Sequence, residues 1–467
     1  PAARVKLPEK RIDEMVRAGL LHLDLITYGH EPEGTLTPTI GVYAPIGSES
    51  APIIQFMDSM GWHGVARRAA TYFLDKQHED GFIQNFGGYM LETGAALWTL
   101  GEHYRYTRDA AWVRQIEPKL LKSSEFLLRW RERNLREDLR GKGYGMLEGK
   151  TADPEDPFRS FMLNGYAYLG LARVAEMLAT VDPAQSARWR KEAEALRGDI
   201  RSAMASVMGR SPVVPLANGT WCPTAPPWVE YRGPLVLGAD GGNWWTHGAQ
   251  VSRDSLLGPL YLVFQEVLDP REPAADFLLE FHNDMMTTRN AAFSQPYYCR
   301  HPVTHLRRGE PKAFLKAYYN TMAALADRDT YSFQEHYFGA SPHKTHEEGW
   351  FLMDTRWMLY LERGDKLELL AGVPRRWLQP GKRIELDRAA TYFGPLTLRV
   401  DSQTDQGRMA ADILCSSGRQ PKTVEIRLPH PEGARAVSVR GGVYDQRTER
   451  VRIENFSGSA NVELRYR

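Results

Sequence analysis

Glu148 and Glu335 are the residues of this chain best placed to do chemistry. Glu148 stands in Tyr144-Gly145-Met146-Leu147-Glu148-Gly149, and Glu335 in Ser332-Phe333-Gln334-Glu335-His336-Tyr337. Each segment sets one carboxylate among aromatic and apolar residues, in a stretch that reads as a turn between helices. Two such carboxyls are what hydrolysis of a glycosidic bond with inversion requires. One is protonated and reaches the leaving oxygen; the other is ionised and holds a water on the opposite face, roughly 6.5–9.5 Å away. An apolar setting keeps the acid protonated. Tyr144, Met146 and Leu147 predict such a setting for Glu148, and the flanking glycines let the backbone approach a ligand. Glu335 is the expected base, with His336, His343 and His346 close by to orient it or to meet sugar hydroxyls. Either glutamate also reads as a solvated loop carboxylate.

Other groups are weaker candidates for a substrate pocket. Glu92 heads a helix that continues through Trp98, and Glu49 precedes another; each carboxylate suits a helix N-terminus or an inward contact with sugar. Glu348, beside Glu347, opens a late helix with the same two readings. Asp240, Trp244 and Trp245 lie in a long Gly-rich loop, where paired tryptophans need burial or a ligand and suit a substrate wall. No cofactor and no metal is expected. His343-x-x-His346-Glu347 is not a recognised zinc arrangement, and Cys222, Cys299 and Cys415 match neither a metal pattern nor a disulfide framework.

Composition narrows the partners. The 467 residues carry a net charge of +1 and no basic stripe, which argues against nucleic acid. No apolar run approaches the ~18 residues of a membrane span. The 12 Trp and 21 Tyr gather in loops such as Trp221 to Trp228, where rings can stack on the apolar faces of sugars. An oligosaccharide or polysaccharide is therefore the expected partner. The sequence begins at Pro1 without Met or leader and leaves the compartment open, with a periplasmic or secreted setting favoured.

Residues 1–365 read as helical. Candidate helices lie near 9–27, 51–60, 62–77, 92–107, 111–133, 160–179, 184–208, 254–268, 273–288, 312–327 and 347–362. Ala167, Leu171, Val174, Ala175 and Leu178 give one buried helical face. Asp182-Pro183 and Asp269-Pro270 suit helix starts. Close helix pairs alternate with longer loops, the longest near 209–253. Such pairing predicts a mainly α fold, an (α/α)6 toroid. From Lys366 to Arg467 the period changes to short alternating runs, among them Leu396 to Val400, Ala410 to Leu414 and Thr423 to Leu428. That pattern predicts a C-terminal antiparallel β-sandwich packed on the helices.

Several segments resemble the six-hairpin glycosidases, the glucoamylase-like (α/α)6 group that includes glycoside hydrolase family 15. Ala96-Leu97-Trp98-Thr99-Leu100-Gly101-Glu102-His103-Tyr104 with Thr107-Arg108-Asp109 looks like the group's Leu-Trp-Ala-Leu…Tyr…Thr-Gly-Asp helix, and Asp80-Gly81-Phe82 like the turn before it. Met146-Leu147-Glu148 is similar to the Leu-Trp-Glu that carries the general acid. Gln334-Glu335-His336-Tyr337 is similar to the Ala-Glu-Gln-Tyr/Phe that carries the base. Glu348-Gly349-Trp350 resembles the start of the last barrel helix. Ile46-Gly47-Ser48-Glu49 replaces an early Trp-Leu-Arg-Asp, so Glu49 is a loose substitute for its sugar-binding Asp. The trailing strands and Val373-Pro374-Arg375-Arg376-Trp377-Leu378 resemble the α-L-rhamnosidases. The resemblance implies an inverting, exo-acting glycoside hydrolase with Glu148 as acid and Glu335 as base.

Two other functions fit parts of the sequence. Tyr297-Tyr298-Cys299-Arg300-His301, with His305 and Arg307-Arg308, could serve a polysaccharide lyase. A catalytically inactive carbohydrate-binding protein would retain the aromatic loops without turnover.

Overall fold

The computed structural model describes residues 2–151, 158–233, 258–285, 287–288, 291–292, 297–336 and 342–467. Helices with no face suited to water form its centre. Ala51–Ser59 and Thr345–Leu359 are buried along their whole length, and Glu92–Thr107 and Phe161–Leu178 almost so. A helix of that kind must lie inside. The neighbouring helices in sequence are amphipathic. Lys10–Leu25 buries Ile12, Met15, Val16, Gly19 and Leu23, and Pro183–Arg210 buries a stripe from Ser186 through Trp189, Ala193, Leu196 and Ile200 to Val207. Each therefore packs one face inward and offers the other to solvent.

The inner helices pack in the order Ala51–Ser59, Glu92–Thr107, Phe161–Leu178, Tyr261–Phe264, His301–Arg308 and Thr345–Leu359, and the last packs against the first. The outer helices that follow in the chain are His63–Asp75, Ala110–Glu132, Pro183–Arg210, Pro273–Met285 and Pro311–Leu325, while Lys10–Leu25 packs on Thr345–Leu359. Local chemistry sets the starts. Asp109 accepts from Trp112 N at 3.0 Å, and Asp182 from Ala184 N and Gln185 N at 3.1 and 3.0 Å.

Three helices depart from expectation. Among the described residues, the one expected near 254–268 is the single turn Tyr261–Phe264. His301–Arg308, read as loop, is a helix that ends at Gly309 (φ 77°); eight residues rich in charge carry too little period to be read. The last helix stops at Leu359 rather than 362. Tyr360 is already extended, and Tyr360–Arg363 turns back through Gly364 (φ 59°) onto Lys366–Leu369.

Two sheets complete the chain. The six-stranded sheet runs Arg4–Lys6, Arg383–Thr391, Gly394–Gln403, Arg408–Leu414, Ser459–Arg465, Ser438–Arg440, all antiparallel. Its N-terminal strand comes from the far end of the chain. Leu396, Leu398 and Val400 turn inward at alternate positions, as the period of two requires. The five-stranded sheet runs Val443–Asp445, Arg450–Ile453, Thr423–Arg427, Lys366–Leu369, Tyr360–Arg363. Here the expectation of a purely antiparallel arrangement fails: Thr423–Arg427 lies parallel to Lys366–Leu369, with Val424 opposite Leu367. The connection between them crosses through the other sheet, which frees the pair from hairpin geometry.

Glu9 fastens the strands to the helices. It accepts from Tyr319 Oη at 2.6 Å, Trp377 Nε1 at 2.7 Å and Arg376 Nη2 at 2.8 Å. Tyr392 Oη donates to Glu102 at 2.5 Å from the sheet side.

Candidate active site

Lys344 is the organising residue, and no pattern in the sequence marks it. Its side chain is 2% exposed, with Nζ 3.0 Å from Glu335 Oε1, 3.2 Å from Glu49 Oε2 and 3.3 Å from Tyr298 Oη. Burial opposes its charge, but Glu49, Glu347 and Glu335 together push its pKa well above the ordinary value. It is therefore a fixed cation. The segment before it is folded to deliver it. Lys344 N donates to Phe333 O at 2.8 Å and Gln334 N to Leu325 O at 3.0 Å, so Glu335 and Lys344 emerge side by side. Gly41 (φ 84°) allows the crossing chain to pass: a Cβ there would lie 2.0 Å from His343 O.

Behind this pair sits Glu347, wholly buried. Burial raises its carboxyl to about 8, with Lys344 opposing and Glu335 adding to the shift. Trp350 Nε1 donates to His346 Nε2 at 2.7 Å, which leaves the ring proton on Nδ1, 3.1 Å from Glu347 Oε1. Burial lowers His346 to about 3, so this imidazole is neutral. Arg300 lies over the Trp350 ring at 3.7 Å. Burial holds the Tyr298 phenol well above its usual pKa, which does not suit it to be the base a lyase needs.

A row of rings leads away from Glu335. Tyr43 Oη lies 3.4 Å from Glu335 Oε2, Tyr43 meets Phe86 at 6.2 Å, Phe86 meets Tyr89 at 5.3 Å, and Lys150 Nζ lies 5.2 Å from the Tyr89 ring. Tyr43 and Phe86 are half-buried. Lys150 is two residues from Glu148, so the row joins the two loops singled out above. Met90 N donates to Lys150 O at 2.9 Å and ties the Phe86–Tyr89 end of the row to the loop of Glu148.

Glu148 itself departs from expectation. It is 46% exposed in its side chain, and its partner is Arg159, whose Nη1 also binds Glu230 Oε1 at 2.8 Å. Met146 and Leu147 are buried in the core instead of shielding it; the turn spends its apolar residues on packing. Glu92 is wholly buried and accepts from the backbone N–H of Asn85, Gly47 and Phe86 at 2.5, 2.9 and 3.1 Å. It knits the loop of Glu49 to the loop of Phe86 rather than facing a sugar. Burial pushes it up to about 7 against those three donors. Trp98 is buried against Tyr166 and Phe264, and Glu348 pairs with His22 Nδ1 at 2.8 Å on an outer helix, so neither is presented to a ligand. His336 Nε2 lies 3.9 Å from Glu335 Oε2. Asp240, Trp244, Trp245 and Tyr337 lie outside the described residues.

No family model matches the sequence, and no curated protein matches it. Solved structures match its fold. A GH78 rhamnosidase from Bacillus sp. GL1 superposes with a TM-score of 0.53 at 10% identity, over 92% of this chain and 43% of that one. A bacterial glucoamylase crystallised with acarbose gives 0.51 at 10% identity, over 75% and 56%. The chain shares its overall fold with this rhamnosidase and this glucoamylase. An overlap as wide as the first takes in the C-terminal strands, so the order of helices then strands is shared with the rhamnosidase. A further structure, described as a glycosidase, gives 0.49 at 11% identity over 74% of this chain and 96% of that one.

Proposed function

We propose that this chain is an inverting, exo-acting glycoside hydrolase that removes terminal sugars from an oligosaccharide or polysaccharide. One observation carries the reading: Glu335, held by Lys344, stands at one end of the Tyr43–Phe86–Tyr89 row, and the loop of Glu148 meets the other end. Half-buried rings suit the apolar faces of sugars, and two carboxyls beyond them suit acid and base. The rhamnosidase and the acarbose-bound glucoamylase of like fold support a terminal sugar as the substrate class. The reading also closes the six inner helices of residues 1–365 into an (α/α)6 toroid and stacks the two sheets, built from 366–467 with Arg4–Lys6 and Tyr360–Arg363 added, as a sandwich; the neighbour order of the buried helices supports the first.

Glu335 is the base. An adjacent fixed ammonium favours the ionised carboxylate, which can then hold and deprotonate water. Glu148 is the acid, and its exposure lets it reach a leaving oxygen. Glu49 and His336 border the innermost sugar. A hydrolysis screen over terminal linkages, followed by NMR of the first-formed anomer, tests this. Sugar released with inverted configuration supports the reading; released with retained configuration, or as an unsaturated product, it overturns it.

A further inference from the structure

His282, Cys299 and His301 form a buried cluster that the proposed chemistry does not use. Among the described residues they form a group whose three ligand atoms all lie within 4.8 Å of one another. All three are deeply buried, at 3%, 1% and 1% exposure. Cys299 Sγ lies 2.7 Å from His301 Nδ1, and the rings of His282 and His301 are 4.9 Å apart. The ligands come from two elements: His282 from the helix Pro273–Met285, and the Cys299-x-His301 step from the entry to His301–Arg308. Arg300 between them takes a left-handed φ of 58°, which puts its two neighbours on the same side.

We propose that these three residues bind a zinc ion. Two imidazoles and one thiolate in a dry site are a donor set that divalent zinc prefers. A second observation points the same way. His282 Nε2 is buried without a hydrogen-bond partner, and in the tautomer with its proton on Nδ1 it presents a lone pair that a metal ion can take. A thiol binds zinc as its thiolate, so the metal must displace the Cys299 proton. Binding forms the Zn–S bond, breaks the S–H bond and releases one proton to solvent. Zinc bonds of roughly 2.0–2.3 Å set ligand atoms about 3.5 Å apart, so Cys299 and His301 open by less than about 1 Å.

The ion sits behind the wall of the candidate active site. Tyr298, which reaches Lys344, and Arg300, which covers Trp350, bracket Cys299. Zinc at Cys299 and His301 therefore pins both.

Metal content, measured after equilibration with excess zinc and gel filtration, tests the proposal on the whole protein. The expected result is close to one zinc per chain, lost in Cys299→Ser. Cobalt(II) in the unaltered protein should give an intense thiolate-to-metal charge-transfer band, which needs no variant to fold. Zinc should also raise the melting temperature, and a chelator should lower it again. Zinc bound without the cobalt–thiolate band, equal zinc in Cys299→Ser, or no zinc retained would each overturn the proposal. None of these readouts depends on hydrolysis, so the site and the proposed activity can fail separately.

Discussion

Lys344 governs Glu335, and its removal has a directional consequence. Without the ammonium, Glu335 and Glu49 face each other as like charges in a buried setting, and both effects disfavour ionisation. Lys344→Met should therefore shift the acidic limb of the pH profile of kcat/KM upward and lower kcat at neutral pH by about 10²-fold. An unmoved limb would show that Lys344 serves packing alone. The carboxyl variants should differ from one another. Glu335→Gln removes water activation, so every substrate slows by roughly 10²–10⁴-fold, and azide restores turnover with inverted product. Glu148→Gln removes proton donation, so activated aryl glycosides are partly spared. Equal losses for both substrate types in Glu148→Gln would remove it from the role of acid. The sequence made Glu335 legible because its neighbours are a motif. Lys344 was not legible, since a lysine before a helix reads as surface and only the fold buries it against Glu49 and Glu335. The apolar setting read for Glu148 failed for a related reason: residue types in a turn do not say which side chains point inward.

At the scale of elements, Glu92 shows how the loops hold their places. Its carboxylate serves three backbone N–H groups from two loops, those of Gly47 and of Asn85 and Phe86. Glu92→Ala would leave these donors unpaired and should cost roughly 3 kcal/mol, read as a lowered denaturation midpoint with an unchanged slope. It should also raise KM, because Phe86 and Glu49 lose their anchors. A cost within about 0.5 kcal/mol, the range of ordinary surface changes, would contradict the role. Helical period gave most of the outer and inner helices, since one buried face or none exposed is visible in sequence. It missed His301–Arg308 and overran the end of Thr345–Leu359. A short helix has little period, and Tyr360 and Leu361 are apolar in a strand as much as in a helix. The parallel pairing of Thr423–Arg427 with Lys366–Leu369 was invisible because alternation marks a strand and not its partner.

For the whole molecule, the buried carboxyls set the response to pH. Glu347 keeps its proton in the fold up to about 8, and Glu92 and Asp354 up to about 7. Unfolded, each releases it near the ordinary ~4.3 or lower. Between those values the folded state binds more protons, so unfolding releases them and stability falls as pH rises. His346 works the other way. Lowered to about 3 in the fold, it stays neutral, while the unfolded ring gains a proton below ~6.5. Its contribution grows as pH rises to that point and is then constant. Above about 6.5 the carboxyl decline stands unopposed by this histidine, and His22, raised by its bond to Glu348, adds to it. The melting temperature should therefore drop from about pH 6.5 to 8. Glu347→Gln keeps the shape of the protonated acid and cannot ionise. It should already exceed the unaltered protein near pH 6, and by a wider margin near pH 8. A constant difference at the two pH values would mean that Glu347 is already ionised in the fold, and that the charge it shares with Lys344, Glu49 and Glu335 is balanced in some other way.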